Sequence, residues 1–492
     1  EDLAKRHPSV REELRDRSEL ATGDVKRLVK SVKSEIENLT ADPAWSDHWS
    51  HESHIPDFSR VRSRLEALLA KGHADEVVKL GATLLKSGTD LIEMSNDEGE
   101  TSMEVSSCMD VVFRALRRSS LSPAEQMKWA TNAALSDKHE LCEGAYKFLS
   151  QKHTAEDWNT LAEELTAQLT NFKPRNGTSS FSTHYDRDRL TDRLIEALQK
   201  SGRQQEIIPL CLREAPITNS YERLVGHLKQ AKRWTEAEEW IRKGIAATQK
   251  DLPGIAANLR KSLLEIRKKD KDTLGAAALL ADEFFLYPSL ETYRALQKGA
   301  ERANVWQAVR EVVLFFLETG KPPVRGRRPE PNEHTTDGRT IPPWLLPESG
   351  VMQTEKPRKS EFPDVHTLID IAIAEKRVDD VLRWYDRCRQ KGTVWFDFNS
   401  TDDRVAEAVV QQYPERSISI WKSIAEGAIA RTQPKMYEVA AGYLRKIRRA
   451  LQNTRRDTEW RSYLSALRES NKKKRRLVEI LDTLEGAPIL KR

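Results

Sequence analysis

Leu68-Leu-Ala-Lys-Gly-His-Ala-Asp-Glu-Val-Val-Lys-Leu80 decides the fold, because its pattern returns along the chain. Leu198-Gln-Lys-Ser-Gly-Arg-Gln-Gln-Glu-Ile-Ile-Pro-Leu210 matches it place by place. So do Leu228-Lys-Gln-Ala-Lys-Arg-Trp-Thr-Glu-Ala-Glu-Glu-Trp240 and Ala372-Ile-Ala-Glu-Lys-Arg-Val-Asp-Asp-Val-Leu-Arg-Trp384. A fainter copy runs from Ala300 to Val312. The fifth place holds Gly72, Gly202, Lys232, Asn304 or Lys376, and the first helix must stop there. Gly and Asn tolerate the left-handed backbone that ends a helix; Lys does so less readily.

The other places complete a helix hairpin. The sixth is basic in four copies, His73, Arg203, Arg233 and Arg377, where a cation meets the negative end of the first helix's dipole. The ninth is acidic in the same four, Glu76, Glu206, Glu236 and Asp380. It falls in the first turn of the second helix, where negative charge is favoured. The tenth and thirteenth are apolar: Val77 and Leu80, Ile207 and Leu210, Ala237 and Trp240, Val381 and Trp384. They are expected to bury against the first helix. This is the signature of tetratricopeptide-like repeats without their full consensus, and only the step from 198 to 228 approaches the period of about 34 residues. The chain reads as all-α, an irregular α-solenoid of TPR-like helical hairpins with further helices between the units.

Composition agrees. The 492 residues are 32% charged and 38% hydrophobic. That length exceeds one ordinary core and suits several domains or a repeat array. Nine of the 21 prolines fall between Pro322 and Pro363, so the rest of the chain is almost free of helix breakers. Collagen-like and globally disordered classes are excluded on this ground, and a β-sandwich or barrel is disfavoured. No apolar run approaches the roughly 18 residues that span a bilayer. Cysteines stand only at 108, 142, 211 and 388, with no Cys-x-x-Cys, and read as buried small apolar residues in a reducing compartment. A cytoplasmic location without membrane attachment is the expectation.

The proline-rich stretch organises the chain. Residues 1–320 read as an N-terminal helical-repeat block, 321–363 as a Pro-rich linker carrying Arg325, Arg327 and Arg328, and 364–492 as a C-terminal helical block with a basic end. Inside the linker, Pro343-Trp-Leu-Leu-Pro347 is an apolar island expected to dock on the solenoid, since an exposed Trp-Leu-Leu run is costly. The C-terminal block is expected to end in two long helices, Met436 to Asn453 and Glu459 to Leu484, with Arg455-Arg-Asp457 turning the chain between them.

The net charge of +5 hides an asymmetry. From Arg431 to Arg492 there are 17 Lys/Arg and 7 Asp/Glu, a local balance of +10, so the first 430 residues carry −5. The candidate contacts for a nucleic acid or another anionic partner are Arg445, Lys446, Arg448, Arg449, Arg455, Arg456, Lys472, Lys473, Lys474, Arg475 and Arg476. The alternative is a solvated helix face. No interleaved aromatics supply the base stacking of a single-strand reader.

Catalytic and metal patterns are weak. His48-x2-His51-x2-His54 has Asp47, Glu52 and Asp57 nearby, and imidazoles are good zinc ligands. That spacing does not place three rings on one helix face, and Pro56 implies a loop, so these read as surface histidines beside Trp45 and Trp49. Asn96-Asp-Glu-Gly-Glu100 lacks the alternating ligands of a calcium loop and reads as a loop with an acidic helix start. Tyr185-Asp-Arg-Asp-Arg-Leu190 reads as an amphipathic helix start with polar-network capacity. No P-loop, dinucleotide fingerprint, nucleophile elbow or zincin motif is present. No catalytic, cofactor-binding or metal residue is assigned, and a non-enzyme is expected.

Several segments together resemble a family: Trp45-Ser-Asp-His-Trp49 with Ile55-Pro-Asp57, Gly72-His-Ala-Asp75, Met94-Ser-Asn-Asp-Glu-Gly99, and Arg114-Ala-Leu-Arg-Arg-Ser-Ser-Leu-Ser-Pro123. Tyr185 to Leu190, Tyr221-Glu-Arg-Leu224, Glu239-Trp-Ile-Arg-Lys-Gly-Ile245, Pro288-Ser-Leu290 and Trp460-Arg-Ser-Tyr-Leu464 extend the match over most of the chain. The chain resembles the helical region that follows the SWIM zinc finger in a family of bacterial proteins. The finger itself needs Cys-x-Cys followed by Cys-x-His, and neither occurs here. No zinc ligand is carried over, and no cofactor is expected in this chain. Either the finger lies upstream of Glu1 or it is lost, and a start at Glu1 rather than Met favours the first. The resemblance implies a part in DNA binding or protein interaction through that missing element. The reading is therefore a non-catalytic scaffold for a protein partner, with nucleic-acid contact through the basic end as the alternative and a metal enzyme at His48, His51 and His54 as a distant third.

Overall fold

The computed structural model describes residues 25–47, 52–173, 180–323, 342–351, 361–390 and 401–484. His48, His51, Trp49 and the linker arginines Arg325, Arg327 and Arg328 lie outside the described residues. Among the described residues there are 22 α-helices, one 3-10 turn at Gln204–Glu206 and one short hairpin pairing β1 (Trp45–Asp47) with β2 (Glu52–His54). The protein is an all-α stack of helical hairpins.

The chain forms two compact units, 1–240 and 241–492. The sequence reading divided it at 321–363 instead. Among the described residues, the helices on both sides of that stretch share one core, with members from Ala277 to Leu484.

The first unit holds α1 (Val25–Leu39), α2 (Ser59–Ala70), α3 (Ala74–Met94), α4 (Glu100–Leu116), α5 (Pro123–Ser136), α6 (Glu143–Leu149), α7 (Ala155–Thr170), α8 (Ser180–Lys200), α9 (Ile207–Thr218) and α10 (Tyr221–Gln230). Each helix is set by its apolar spacing. In α1, Leu28, Val32 and Ile36 recur every fourth residue and are the buried side chains. Helices α3 and α4 pack unusually close. Gly81 faces Val112 and Gly88 faces Val105, so the antiparallel backbones approach where a side chain is absent.

The second unit holds α12 (Pro253–Lys269), α13 (Thr273–Leu286), α14 (Leu290–Arg302), α15 (Trp306–Thr319), α16 (Val365–Ala374), α17 (Val378–Gln390), α18 (Thr401–Val409), α19 (Pro414–Ala430), α20 (Pro434–Asn453), α21 (Asp457–Ser470) and α22 (Arg475–Thr483). Helix α11 (Trp234–Thr248) contains the division between the units. The apolar island docks as the sequence implied. Trp344 and Leu346 are buried in the second core, and the Trp344 ring lies 5.6 Å from that of Phe285.

Five corners carry the repeat, and the backbone at each one is left-handed. Gly72, Gly202, Lys232, Asn304 and Lys376 have φ of 87°, 83°, 59°, 56° and 57°. At every one, the sixth-place N–H donates to the first-place carbonyl, as from His73 to Leu68 at 3.0 Å and from Arg377 to Ala372 at 2.9 Å. The fifth-place N–H donates to the second-place carbonyl, as from Gly72 to Leu69 at 3.1 Å. These two bonds satisfy carbonyls that a helix end leaves orphaned. Two further corners are built alike. Lys271 (φ 59°) and Arg455 (φ 56°) are left-handed, with Asp272 donating to Arg267 and Arg456 to Leu451, each at 2.9 Å. The corners at 202, 232, 271 and 304 therefore follow at intervals of 30, 39 and 33 residues, close to a helical-repeat period.

The sixth-place cation does not turn back to the first helix as expected. It pairs with the ninth-place acid. Arg203 holds Glu206 through two bonds of 2.7 and 2.8 Å, Arg233 holds Glu236 at 2.6 Å, and Arg377 pairs with Asp380. In the unnoticed copy Arg456 pairs with Glu459. The reason is geometric: the sixth place begins the second helix, three residues before the acid, so the two side chains share one face. His73 is too short to reach Glu76 in this way, and Glu76 pairs with Lys79 at 2.9 Å. Because Gly72 needs positive φ and nothing crowds its α-carbon, Gly72→Ala is expected to cost about 1 kcal/mol by conformation alone. Lys376→Gly is expected to gain roughly 0.5 kcal/mol, strain relief exceeding the entropy of an added glycine. Shifts in the urea midpoint of the two variants, in opposite directions, check this.

The single helix expected from Glu459 to Leu484 is two, α21 and α22. On a straight helix the buried set Trp460, Leu464 and Leu467 would lie about 100° away from Leu477, Leu481 and Leu484. The corner at 471–474 removes that offset. Asn471 caps α21 through its side-chain amide, which donates to the Leu467 carbonyl at 2.9 Å.

Candidate functional site

A groove of the second unit lies over α13, with α12 and α14 as its walls. Its volume is about 1050 Å³. Helix α13 packs on both neighbours. Gly299 of α14 allows the close approach, since a β-carbon there would meet Leu280 of α13 at 2.6 Å. The floor is apolar, with Leu264, Ala276, Leu280, Leu290 and Ala295.

The walls are cationic. Lys268 and Lys271 stand on the side of α12 and its corner, and Arg294, Lys298 and Arg302 recur every fourth residue along α14. All five are exposed, and no side-chain hydrogen bond or ion pair engages them among the described residues. Arg267 is committed to Asp272 at 3.5 Å. Asp272 also caps α13, accepting from the Gly275 N–H at 2.8 Å. Glu291 is the other carboxylate on the lining. The sequence reading missed this site. Its signal was present in the i, i+4, i+8 cations of α14, opposite the buried Tyr293, Leu296 and Ala300.

The basic residues singled out near the C-terminus divide into two sets. Lys446 is committed to Asp403 at 2.7 Å and to Glu407 at 2.7 Å. Burial works against its charge, but hydrogen bonds to Asp403 and Glu407 outweigh that and raise its pKa. Arg448 donates to the Leu484 carbonyl at 2.9 Å and Lys474 to that of Ile429 at 3.1 Å. Arg456 pairs with Glu415 and Glu459, Lys472 with Glu469, and Arg476 with Glu438 and Glu479. Arg445, Arg449, Arg455, Lys473 and Arg475 are exposed and have no side-chain partner among the described residues. The first set is engaged by other groups of the chain; the second is available to a ligand.

The other sequence candidates fall into structural roles. His54 lies on β2, exposed and paired in register with Trp45. Among the described residues, no three His, Cys, Asp or Glu side chains group so as to hold a metal ion. Asp97 accepts from the Thr101 N–H at 2.7 Å and starts α4, with Gly99 left-handed at φ 100°. Burial pushes the Cys108 thiol up to about 12 and that of Cys211 to about 11, and it raises Cys142 as well. Such thiols are poor nucleophiles at neutral pH.

Tyr185 to Leu190, expected as a helix start, lies within α8, which begins at Ser180, and its arginines anchor polar networks to neighbouring helices. Arg189 donates to the carbonyls of Ala134, Leu135 and Asp137 at the end of α5. Arg187 holds the fully buried Glu214 through bonds of 2.6 and 3.2 Å, and Arg213 adds one of 2.8 Å. Burial raises the Glu214 pKa, and these arginines more than reverse it. Both networks join helices within the first unit.

No family model matches the chain. No curated protein matches it. Among solved structures, a circular tandem repeat protein with novel repeat topology and enhanced subunit contact surfaces is 12% identical, over 94% of this chain and 97% of that one, with a TM-score of 0.12. The class assigned here, an all-α helical-repeat protein, rests on the helices and corners themselves. No helix among the described residues is long and apolar enough to cross a membrane.

Proposed function

We propose that this chain is a non-catalytic scaffold that holds protein partners on surfaces between its helical hairpins, and that it works in the cytoplasm. The groove over α13 carries the reading: three consecutive helices leave an apolar floor between cationic walls that the fold itself does not neutralise. Stacked hairpins offer such surfaces because each unit contacts only its neighbours and leaves one face open. The four free cysteines suit a reducing compartment. Capture on the immobilised intact chain, with and without nuclease, tests it. A partner protein retained after nuclease treatment is expected, and recovery of none counts against the scaffold. The resemblance to the region beside a SWIM finger supports an accessory role, and a Cys-x-Cys with Cys-x-His upstream of Glu1 in the open reading frame would strengthen it.

A second reading is favoured by one observation, the five unengaged cations near the C-terminus. If Arg445, Arg449, Arg455, Lys473 and Arg475 each neutralise one phosphate of a duplex, log affinity falls against log salt with a slope of about −4.5. Arg445→Ala with Arg449→Ala is expected to make that slope shallower by about 2. A titration by fluorescence anisotropy measures it, and absent binding at low salt removes this reading.

A further inference from the structure

Resting on the scaffold reading, one step names the partner chemistry of the groove over α13. We propose that it receives an extended acidic peptide segment whose acidic residues alternate with apolar ones.

Charge comes first. Lys268 and Lys271 from one wall, and Arg294, Lys298 and Arg302 from the other, are exposed without side-chain partners among the described residues. Asp272 is occupied in capping α13. Spacing comes second. Residues four apart on α14 rise about 6 Å along its axis. Alternate residues of an extended strand repeat every 6.6 Å or so, on one face. A row of carboxylates on every second residue therefore matches the row of cations. The intervening side chains point the other way, toward a floor of Ala276, Leu280 and Ala295. Length comes third. From Leu290 to Arg302 the helix rises about 18 Å, which accommodates roughly six extended residues.

A nucleic acid fits these walls less well. No aromatic side chain lines the groove to stack a base. An apolar floor gains little from sugar and phosphate, whereas it gains from Leu or Val side chains.

The test uses the intact chain and a fluorescein-labelled, end-blocked peptide alternating Glu with Leu, read by fluorescence anisotropy. Saturable binding is expected. Arg294→Glu with Lys298→Glu should weaken it by about tenfold or more. Ala295→Asp should weaken it by severalfold through the floor. These positions are exposed or half-exposed. Unchanged thermal melting by circular dichroism, required of each variant, keeps a loss of fold from imitating a loss of binding. No saturable binding overturns the proposal. So does an all-Glu peptide of equal length binding as tightly, since charge alone would then suffice. An oligothymidine strand that binds better, and is lost with the same variants, reassigns the groove to nucleic acid. If nuclease-treated capture on the unaltered chain retains a protein while the peptide does not bind that chain, only this proposal falls. If the unaltered chain retains nothing, the scaffold reading falls with it.

Discussion

Glu375→Ala is expected to destabilise the second unit by about 3–5 kcal/mol. Glu375 closes α16 and receives four hydrogen bonds from three side chains. The Tyr293 hydroxyl donates at 2.5 Å, Arg310 donates twice at 2.8 and 2.6 Å, and Arg377 donates at 2.7 Å. Tyr293 is almost wholly buried, and Arg310 is mostly so. Removing the carboxylate leaves a buried hydroxyl and a partly buried guanidinium without an acceptor, which is where the cost arises. Replacing the cluster together, with Tyr293→Phe, Arg310→Leu and Glu375→Leu, is expected to recover most of the loss, because no charge is then left alone. Urea denaturation of the parent and both variants reads both effects.

The same residue predicts an acid limb. Burial pushes the Glu375 pKa up, but the hydrogen bonds from Arg310 and Tyr293 and the charges of Arg310 and Arg377 outweigh it and hold it at about 2, against an ordinary 4.5. A carboxylate depressed on folding stabilises the protein fully above its unfolded pKa. That stabilisation is lost as pH falls through the folded value. The gap between the parent and Glu375→Ala should therefore be full at neutral pH, shrink below pH 4.5 and close toward pH 2. A gap that persists at the acid end would show that packing, not ionisation, carries the effect.

Gly81→Leu is expected to cost about 3 kcal/mol. A β-carbon on Gly81 would sit 2.3 and 2.8 Å from the two Cγ atoms of Val112. Valine in a helix has one dominant rotamer, so it cannot swing aside. The helices α3 and α4 must part instead, which also opens the contact of Gly88 with Val105. An added alanine side chain would return about 1 kcal/mol of helix propensity, which is less than the overpacking removes. Gly81→Leu with Val112→Ala should recover much of the loss, since volume is then exchanged rather than added. A double variant no more stable than the single one would place the strain elsewhere. Thermal melting of the parent and both variants decides between these.

The corners show how far a sequence can be read. Their charge order revealed four hairpins, because a cation and an acid three residues apart report a helix start that depends on near neighbours alone. The corner at Lys271 escaped notice since Asp272 reverses that order, capping α13 directly through its own carboxylate. The corner at Arg455 does carry Arg456 and Glu459 in order. Arg455-Arg-Asp457 is thus a full copy of the corner and more than the turn its sequence suggests. The basic region shows the opposite limit. Nothing local distinguishes Lys446, held by Asp403 and Glu407, from Arg445 beside it, because those acids stand about forty residues away in the chain.

By itself the sequence determined the helices, most of their corners and the docking of Trp344, since these follow from backbone preference and apolar spacing over a few residues. Tertiary structure alone decided which cations are consumed, that one core spans both sides of the proline-rich stretch, and that Arg294, Lys298 and Arg302 face Lys268 and Lys271 across a groove. Those outcomes depend on which distant side chains arrive within a few ångströms, and charge and packing energies are settled at that range.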